Sequence, residues 1–171
     1  MNIFDELYDN INIRLAVDAD ASTVLSWWND GEIMSAVGFP HGVNSNIDKV
    51  MATIDSKRLY IIEYKGEAVG EFYYDIDDDI VSPDWKIALV SNRNKGLGTR
   101  AIIKSLGILF KKGFKEARWN TLDTNEIAQH VYVKIGATKS KSNETWVDQV
   151  GVSHEIYDFC LTKEEYDRLY I

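Results

Sequence analysis

The sequence predicts an α/β (α+β) fold, a single domain over residues 1–171 with a mixed, mostly antiparallel sheet. Its length and its 45% apolar residues are enough to bury a substantial core. Strand-like segments occur mainly as hairpin pairs, which favours antiparallel pairing. Only two strand–helix units lie between these pairs, so a doubly wound parallel sheet is not expected.

The first half of the chain changes from a helical to a strand-like period. After an opening strand, apolar residues recur at helical spacing up to residue 54 and alternate afterwards. Asp18 or Asp20 can cap the first helix, and Lys65-Gly66 forms a tight turn between two strands. The predicted elements are a strand at 11–17, helices at 21–28, 32–37 and 47–54, and strands at 59–64 and 68–76.

The second half contains the two strand–helix units and a closing hairpin. A long amphipathic helix ends near Gly113, and a second helix lies between Asn125, whose side chain can cap it, and Gly136. The other predicted elements are strands at 84–90, 117–122, 145–150 and 155–161, and a final helix at 163–169.

Charge is distributed unevenly along the chain. The formal net charge is −8, yet the segment 91–115 contains seven basic residues and no acidic one. A positive segment in a negative protein indicates an anionic ligand at that segment. The negative remainder disfavours nucleic acid or an anionic membrane as a partner and is compatible with a cationic substrate.

Simple counts argue against several classes of protein. Cys160 is the only cysteine, so neither a disulfide framework nor a cysteine metal site is expected. His41, His130 and His154 are isolated and lack metal-ligand spacing, so no metal is expected. The N-terminus has no signal-peptide pattern and no apolar run approaches ~20 residues, so we expect a cytoplasmic protein without a membrane span.

The junction at residues 91–99 carries the strongest functional signal. Gly96 and Gly98 stand between a strand and the long helix, where the absence of a Cβ lets backbone N–H groups approach a ligand. The first N–H groups of a helix lack intrahelical partners and carry a partial positive charge. With Arg93, Lys95 and Arg100 beside them, they predict a grip for the pyrophosphate of a nucleotide-like cofactor.

The same residues also match a dinucleotide-binding pattern. Residues 96–101, Gly-Leu-Gly-Thr-Arg-Ala, fit G-x-G-x-x-G/A, which makes a nicotinamide-dependent oxidoreductase an alternative. The pattern lies in mid-chain rather than after the first strand, and hairpins precede it instead of strand–helix units. Both facts count against that alternative.

Two motifs resemble the GNAT superfamily of N-acetyltransferases, over roughly residues 13–161. Residues 93–98, Arg-Asn-Lys-Gly-Leu-Gly, are similar to its acetyl-coenzyme A signature, Arg/Gln-x-x-Gly-x-Gly/Ala. About 30 residues later, residues 125–137 resemble its Asn-x-x-Ala-x-x-x-Tyr-x-Lys-x-Gly-Phe segment, with Ala137 in place of the phenylalanine. Trp-Trp-Asn-Asp at 27–30 and Trp-Val-Asp-Gln at 146–149 resemble its ribosomal-protein and aminoglycoside-type branch.

The resemblance implies helices on both faces of the sheet, a splayed pair of central strands, and direct transfer from acetyl-CoA to an amine in a ternary complex. The N–H of Leu89 or Val90 would stabilise the oxyanion, and Tyr132 would be the acid for the departing thiolate. The glycine turn would bind the pyrophosphate. The implied acetyl-CoA-binding residues are Leu89, Val90, Arg93, Asn94, Lys95, Gly96, Leu97, Gly98, Thr99, Asn125 at the pantetheine arm and Lys134 near the adenosine 3′-phosphate.

The general base and the acceptor stay open at this point. Many family members carry a glutamate in the strand before the glycine turn, where this chain has Lys86. Asp84 in that strand, Glu71 and Asp75 in the preceding strand, and water are the candidates for the base. The acceptor implied is a small amine, an aminoglycoside-like compound or a protein N-terminus, bound by a monomer or a homodimer.

Aromatic and acidic residues offer candidate surfaces for that acceptor. Trp27, Trp28 and Phe39 either wall an acceptor groove or belong to the core. The three aspartates at 77–79 are either a solvated turn or an acidic lip that attracts a polycation. Because the strand glutamate is missing, a non-catalytic acyl-CoA-binding or regulatory module remains an alternative to the enzyme.

Overall fold

The structure is a computed structural model that describes residues 6–88 and 96–171. Five of the predicted acetyl-CoA-binding residues lie outside the described residues. They are Leu89, Val90, Arg93, Asn94 and Lys95.

The described residues form one seven-stranded sheet with the order β1-β2-β3-β4-β5-β7-β6. The β4–β5 pair is parallel and every other pair is antiparallel, so the prediction of a mixed, mostly antiparallel sheet is confirmed. The strands are β1 (Ile11–Leu15), β2 (Leu59–Tyr64), β3 (Glu67–Asp77), β4 (Ile80–Ile87), β5 (Glu116–Leu122), β6 (Thr138–Val147) and β7 (Ser153–Thr162).

Helices begin where the sequence supplies capping side chains. Asp30, Asn46, Asn125 and Thr162 each accept hydrogen bonds from backbone N–H groups in the first turn that follows. Asp20 stands at the N-cap of the second helix, but its carboxylate binds Arg14 and the Val17 N–H instead. The helices are α1 (Glu6–Asp9), α2 (Ala21–Trp28), α3 (Gly31–Met34), α4 (Ile47–Asp55), α5 (Leu97–Lys111), α6 (Glu126–Lys134) and α7 (Lys163–Tyr170).

Two apolar cores lie on opposite faces of the sheet, as alternating strand residues require. Phe72 and Leu161 belong to the larger core, together with Leu106 of α5 and Tyr132 of α6. On the other face, Ile61 packs in a smaller core with residues of α2 and α4, namely Val24, Trp27, Val50 and Ile54. Helices therefore cover both faces, which confirms that prediction.

The sheet opens between its two parallel strands. β4 and β5 pair only at Ile80 with Glu116 and at Val81 with Ala117. Beyond these pairs, β4 stays bonded to β3 up to Ile87 and β5 stays bonded to β7 up to Leu122. The two strands thus diverge, and the predicted splayed pair of central strands is confirmed.

The largest differences from the predicted strand boundaries are the starts of β4 and β6. β4 begins at Ile80 rather than at residue 84 and includes Pro83, which faces Tyr74. Proline is tolerated there because the β5 side of β4 has no ladder bond beyond Val81, as at a sheet edge. β6 begins at Thr138 rather than at residue 145, because an edge strand needs no buried face and its residues are mostly exposed and polar.

Candidate active site

The glycine turn leads into α5 through a left-handed residue. Gly96 has φ 79° and is the N-cap, a conformation that favours glycine. Leu97 and Thr99, on either side of Gly98, are buried. A Cβ at Gly98 would lie 3.7 Å from Ile87 Cγ1, an ordinary contact. Within residues 6–88 and 96–171, no neighbouring atom requires glycine at position 98.

The second motif places its residues along α6. Asn125 Oδ1 accepts from the Ala128 N–H at 3.3 Å, and its Nδ2 donates to the Ala36 carbonyl at 3.4 Å. Its side chain thus caps α6 and ties it to the turn at Ser35–Val37. Lys134 is exposed in the last turn of α6, at the opposite end from Asn125.

Aromatic side chains fill the opening on the α6 side of the sheet. Trp85 of β4 and Trp119 of β5 meet edge to face with ring centroids 5.4 Å apart, and Tyr132 lies 5.5 Å from Trp119 and 5.0 Å from Phe159. We call these four residues the aromatic cluster. Trp85 Nε1 donates to Ser105 Oγ at 2.6 Å. Trp119 Nε1 is buried and has no hydrogen-bond partner within residues 6–88 and 96–171.

Tyr132 is held inside the aromatic cluster. Burial raises the pKa of its phenol, and the negative charge of Asp84 acts in the same direction. The phenol therefore stays protonated at neutral pH and can donate its hydrogen.

The other face of the opening carries a cavity of about 650 Å³. Both β4 and β5 line it, so it lies over the opening, and its volume suits a small-molecule ligand. A neighbouring cavity of about 500 Å³ shares Asp84 and Asn120 with it. The first cavity is lined by Trp28, Met34, Val37, Phe39, Val43, Asp84, Lys86, Asn120, Thr121, Leu122, Glu144, Trp146 and Ile156.

The cavity wall is closed by contacts between the loop after α3 and the β6–β7 hairpin. Phe39 and Trp146 lie with ring centroids 5.5 Å apart. Gln149 donates from Nε2 to the Gly42 carbonyl at 2.9 Å and accepts from the His41 N–H at 2.9 Å. The hairpin tip between β6 and β7 is thereby joined to the loop after α3.

Of the three aromatic residues weighed as acceptor walls, two line the cavity. Trp28 and Phe39 face it, whereas Trp27 is buried in the smaller core. Trp146 and Glu144 are further lining residues. Glu144 had no signal in the sequence, because it belongs to a polar edge strand.

A charged network lies beneath the cavity. Lys86 Nζ is 2.5 Å from Asp84 Oδ2 and 3.6 Å from Glu71 Oε1, and Trp28 Nε1 donates to Glu71 Oε1 at 2.8 Å. Glu71 is 1% exposed, and its Oε2 has no hydrogen-bond partner in the described part of the chain. The Asp84 side chain is 57% exposed.

Burial and ion pairing shift the pKa values of Glu71 and Lys86 in opposite directions. Burial raises the pKa of Glu71, and the nearby Lys86 only partly offsets that effect. Burial alone would lower the pKa of Lys86, but the carboxylates of Asp84 and Glu71 raise it above its ordinary value. Lys86 is therefore an ammonium at neutral pH.

The candidate bases occupy three different positions. Asp84 lines the cavity, and Glu71 lies buried beneath it. Asp75 is exposed and accepts from the Tyr73 hydroxyl at 2.9 Å, outside the cavity lining. Geometry thus favours Asp84 for contact with a ligand.

Across residues 6–88 and 96–171, no three His, Cys, Asp or Glu side chains are grouped so as to hold a metal ion. No helix in this part of the chain is both long and apolar enough to cross a bilayer.

The sheet opens between two parallel strands, and a helix N-terminus follows the first of them. A small-molecule cavity lies over the gap. The two motifs led us to expect this architecture. Residues 10–138 match the sequence profile of the acetyltransferase (GNAT) domain. The chain therefore belongs to the GNAT acetyltransferase family, whose cosubstrate is acetyl-CoA. The predicted family and enzyme class are confirmed.

Solved structures share the fold over nearly their whole length. Spermidine N-acetyltransferase from Vibrio cholerae, in complex with CoA and spermine, has a TM-score of 0.80 at 15% identity, covering 92% of this chain and 98% of that chain. A GNAT-family acetyltransferase from Bacillus anthracis has a TM-score of 0.75 at 16% identity, covering 91% and 96%. Aminoglycoside acetyltransferase AAC(6')-Ib in complex with coenzyme A and kanamycin has a TM-score of 0.72 at 18% identity, covering 92% of this chain and 98% of that chain. A sequence search of curated proteins finds no match.

Proposed function

We propose that this protein transfers the acetyl group of acetyl-CoA to a primary amine of a small cationic acceptor, by direct attack in a ternary complex. The observation that carries the proposal is the opening between β4 and β5, which has the aromatic cluster on one face and the cavity with Asp84 on the other. Acetyl-CoA supplies a thioester, and the amine enters from the cavity.

The glycine turn is proposed to bind the pyrophosphate. Gly96 starts α5 in a left-handed conformation, and the helix N-terminus attracts negative charge. Glycine at position 98 is less favourable to a helix than alanine, and no neighbour in the described part of the chain requires it. Both facts support close approach of a ligand there. Leu97 and Thr99 would contribute backbone N–H groups.

The remaining acetyl-CoA contacts extend from this turn into the opening. We propose that Leu89 or Val90 supplies the oxyanion donor, and that Arg93, Asn94, Lys95, Asn125 and Lys134 bind other parts of the cosubstrate. The buried Trp119 Nε1 lacks a partner in the described residues and fits an amide oxygen of the pantetheine arm. An N–H group buried without an acceptor is costly, so a bound amide oxygen would stabilise it.

Tyr132 is proposed to stabilise the departing sulfur. Its raised pKa makes it a weaker acid than a thiol, so complete proton transfer to the thiolate is unfavourable. A hydrogen bond from the phenol to the developing thiolate is favourable because that bond is charge-assisted. Solvent then completes the protonation.

Asp84 is proposed as the base that receives the proton of the acceptor ammonium. Its carboxylate lines the cavity, which Glu71 and Asp75 do not. The cavity also contains Glu144 and the aromatic rings of Trp28 and Trp146, groups that attract ammonium by charge and by cation–π contact. The adjoining second cavity favours an elongated acceptor such as a polyamine over a protein N-terminus.

An acceptor panel with acetyl-CoA tests the proposal through the release of free CoA thiol. We expect turnover with polyamines or aminoglycosides, weaker turnover with N-terminal peptides, and none with NAD in place of acetyl-CoA. Asp84→Asn should lower kcat while acetyl-CoA still binds. If acetyl-CoA binds but no amine releases CoA, the protein is a non-catalytic acyl-CoA-binding module.

A further inference from the structure

We propose that Lys86 conducts protons between Asp84 and Glu71, so that the buried Glu71 carboxylate stores the proton that the acceptor amine loses. This inference rests on the proposed function, because it begins with a proton delivered to Asp84. Glu71 does not touch the cavity and acts only through Lys86, as a positioning and proton-holding residue.

The strand register aligns the three groups. Glu71 of β3 pairs directly with Lys86 of β4, and Asp84 lies two residues earlier on the same face of β4. Lys86 Nζ touches Asp84 Oδ2 at 2.5 Å and lies 3.6 Å from Glu71 Oε1. A shift of about 0.5 Å would bring the second pair within hydrogen-bond distance.

The network has room for one proton. Two carboxylates share one ammonium, so the three groups together carry a net charge of −1. Asp84 is largely exposed, so Glu71 is the carboxylate whose charge the low-polarity surroundings disfavour. Glu71 Oε2 is also buried without a partner in the described residues, which leaves one oxygen free to hold a hydrogen. Uptake of a single proton neutralises the group.

Proton movement through the network balances at each step. Asp84 takes a proton from the acceptor ammonium, leaving a neutral amine. Lys86 gives one proton to Glu71 as it receives the proton of Asp84, so Lys86 stays an ammonium throughout and Asp84 returns to its starting charge. The net result is one proton moved from the acceptor to Glu71, with the Asp84 carboxylate free again.

The surroundings of Glu71 favour its protonated form. Lys86 and Asp84 of β4 and the Trp28 indole of α2 face it, and its partner on β2 is Ile61. Of these, Lys86 is the only cation, and burial still raises the pKa of Glu71 above that of an ordinary glutamate. Burial of Glu71 therefore favours an added proton on this carboxyl group.

Arginine at position 86 separates proton conduction from simple charge pairing. A guanidinium keeps the positive charge but does not give up a proton in proteins. We expect Lys86→Arg to lower kcat roughly a hundredfold while the Kd for acetyl-CoA and the thermal stability change little. Lys49→Arg, on the exposed surface of α4, is the matched control and should keep wild-type kcat. Wild-type kcat in Lys86→Arg would overturn the proposal.

A pH titration of the free protein tests, without any acceptor, whether Glu71 holds a proton. We expect the Glu71 carboxyl ¹³C signal, identified by its loss in Glu71→Gln, to titrate above the range of an ordinary glutamate. Glu71→Gln should lower kcat as Lys86→Arg does, with no further loss in the double variant. If the Glu71 signal titrates in the range of an ordinary glutamate, Glu71 does not store the proton and the inference fails. If no acceptor in the panel releases CoA, that result counts against the proposed reaction alone.

Discussion

Two buried tyrosines differ in what their hydroxyl groups contact. Tyr166 donates from its hydroxyl to the Ile103 carbonyl at 2.9 Å, a bond that joins α7 to α5. Tyr132 packs among Trp85, Trp119 and Phe159 at the opening of the sheet. The first hydroxyl therefore contributes to stability, and we assign the second to the reaction.

Replacing these tyrosines with phenylalanine should separate the two roles. We expect Tyr132→Phe to lower kcat tenfold or more, because about tenfold corresponds to the loss of one charge-assisted hydrogen bond. The Kd for acetyl-CoA and the free energy of unfolding should stay close to their wild-type values. Tyr166→Phe, the control, should lower the free energy of unfolding by about 1 kcal/mol and keep kcat. Steady-state kinetics and urea unfolding measure both quantities.

Unchanged turnover in Tyr132→Phe would remove Tyr132 from the mechanism and leave the fold assignment intact. A loss of stability equal to that of Tyr166→Phe would show instead that the Tyr132 hydroxyl has a structural partner.

Secondary-structure elements were predictable where the apolar period and its breakers coincide. α2 and β2 occupy the predicted residues, since a capping position or a turn flanks each. β6 was missed over its first residues because a polar edge strand carries no alternation. The pairing of Glu71 with Lys86 depends on the register of β3 against β4, which neither strand specifies by itself.

The hairpin tip between β6 and β7 is held by a histidine between two carboxylates. His154 Nε2 lies 2.8 Å from Asp148 Oδ2 and Nδ1 lies 3.2 Å from Asp123 Oδ1. The bond to Asp148 is the main cause of a raised pKa for His154. Protonated His154 therefore stabilises the folded state below the unfolded pKa of about 6.5, and this stabilisation disappears as pH rises through the higher folded pKa.

His154→Gln should measure that pH dependence. We expect its free energy of unfolding to fall below wild type at about pH 6 and to approach wild type at about pH 9. The control His130→Gln, at an exposed position on α6, should show no such change with pH. If the difference in free energy of unfolding between wild type and His154→Gln grows towards alkaline pH, the ion-pair assignment is contradicted.

The start of α5 can be tested at Gly98 with two side chains of different size. Alanine should raise the free energy of unfolding by about 0.5–1 kcal/mol, because it reduces chain entropy, and should leave acetyl-CoA binding almost unchanged. Leucine should weaken acetyl-CoA binding about tenfold or more, since its longer side chain occupies the approach to the helix N-terminus. Calorimetric titration of both variants checks the pair, and equal acetyl-CoA affinity for both would argue against a ligand at this turn.

The two proposed binding regions lie across one sheet from each other. β4 and β5 separate after Val81 and Ala117, with the larger core and α5 on one face and the cavity on the other. The two motifs indicated this opening through family resemblance, because nothing in the local sequence of β4 or β5 predicts that their pairing ends. The single-domain organisation and the oligomeric state stay predictions.

Acceptor choice depends on parts of the chain that are far apart in sequence. Residues after α2, on β4 and β5, and on the β6–β7 hairpin all line the cavity. Sequence analysis named Trp28, Phe39 and Asp84 singly, but only the folded sheet brings them beside Glu144 and Trp146. Cavity shape and charge therefore belong to the tertiary structure rather than to any motif.

A crystal structure with coenzyme A bound tests the central claim most directly. We predict the diphosphate at the N–H groups that start α5, and the pantetheine arm between β4 and β5 with an amide oxygen within hydrogen-bond distance of Trp119 Nε1. Coenzyme A bound elsewhere, with β4 and β5 closed against each other and the α5 N-terminus capped by the protein's own side chains, would contradict the account.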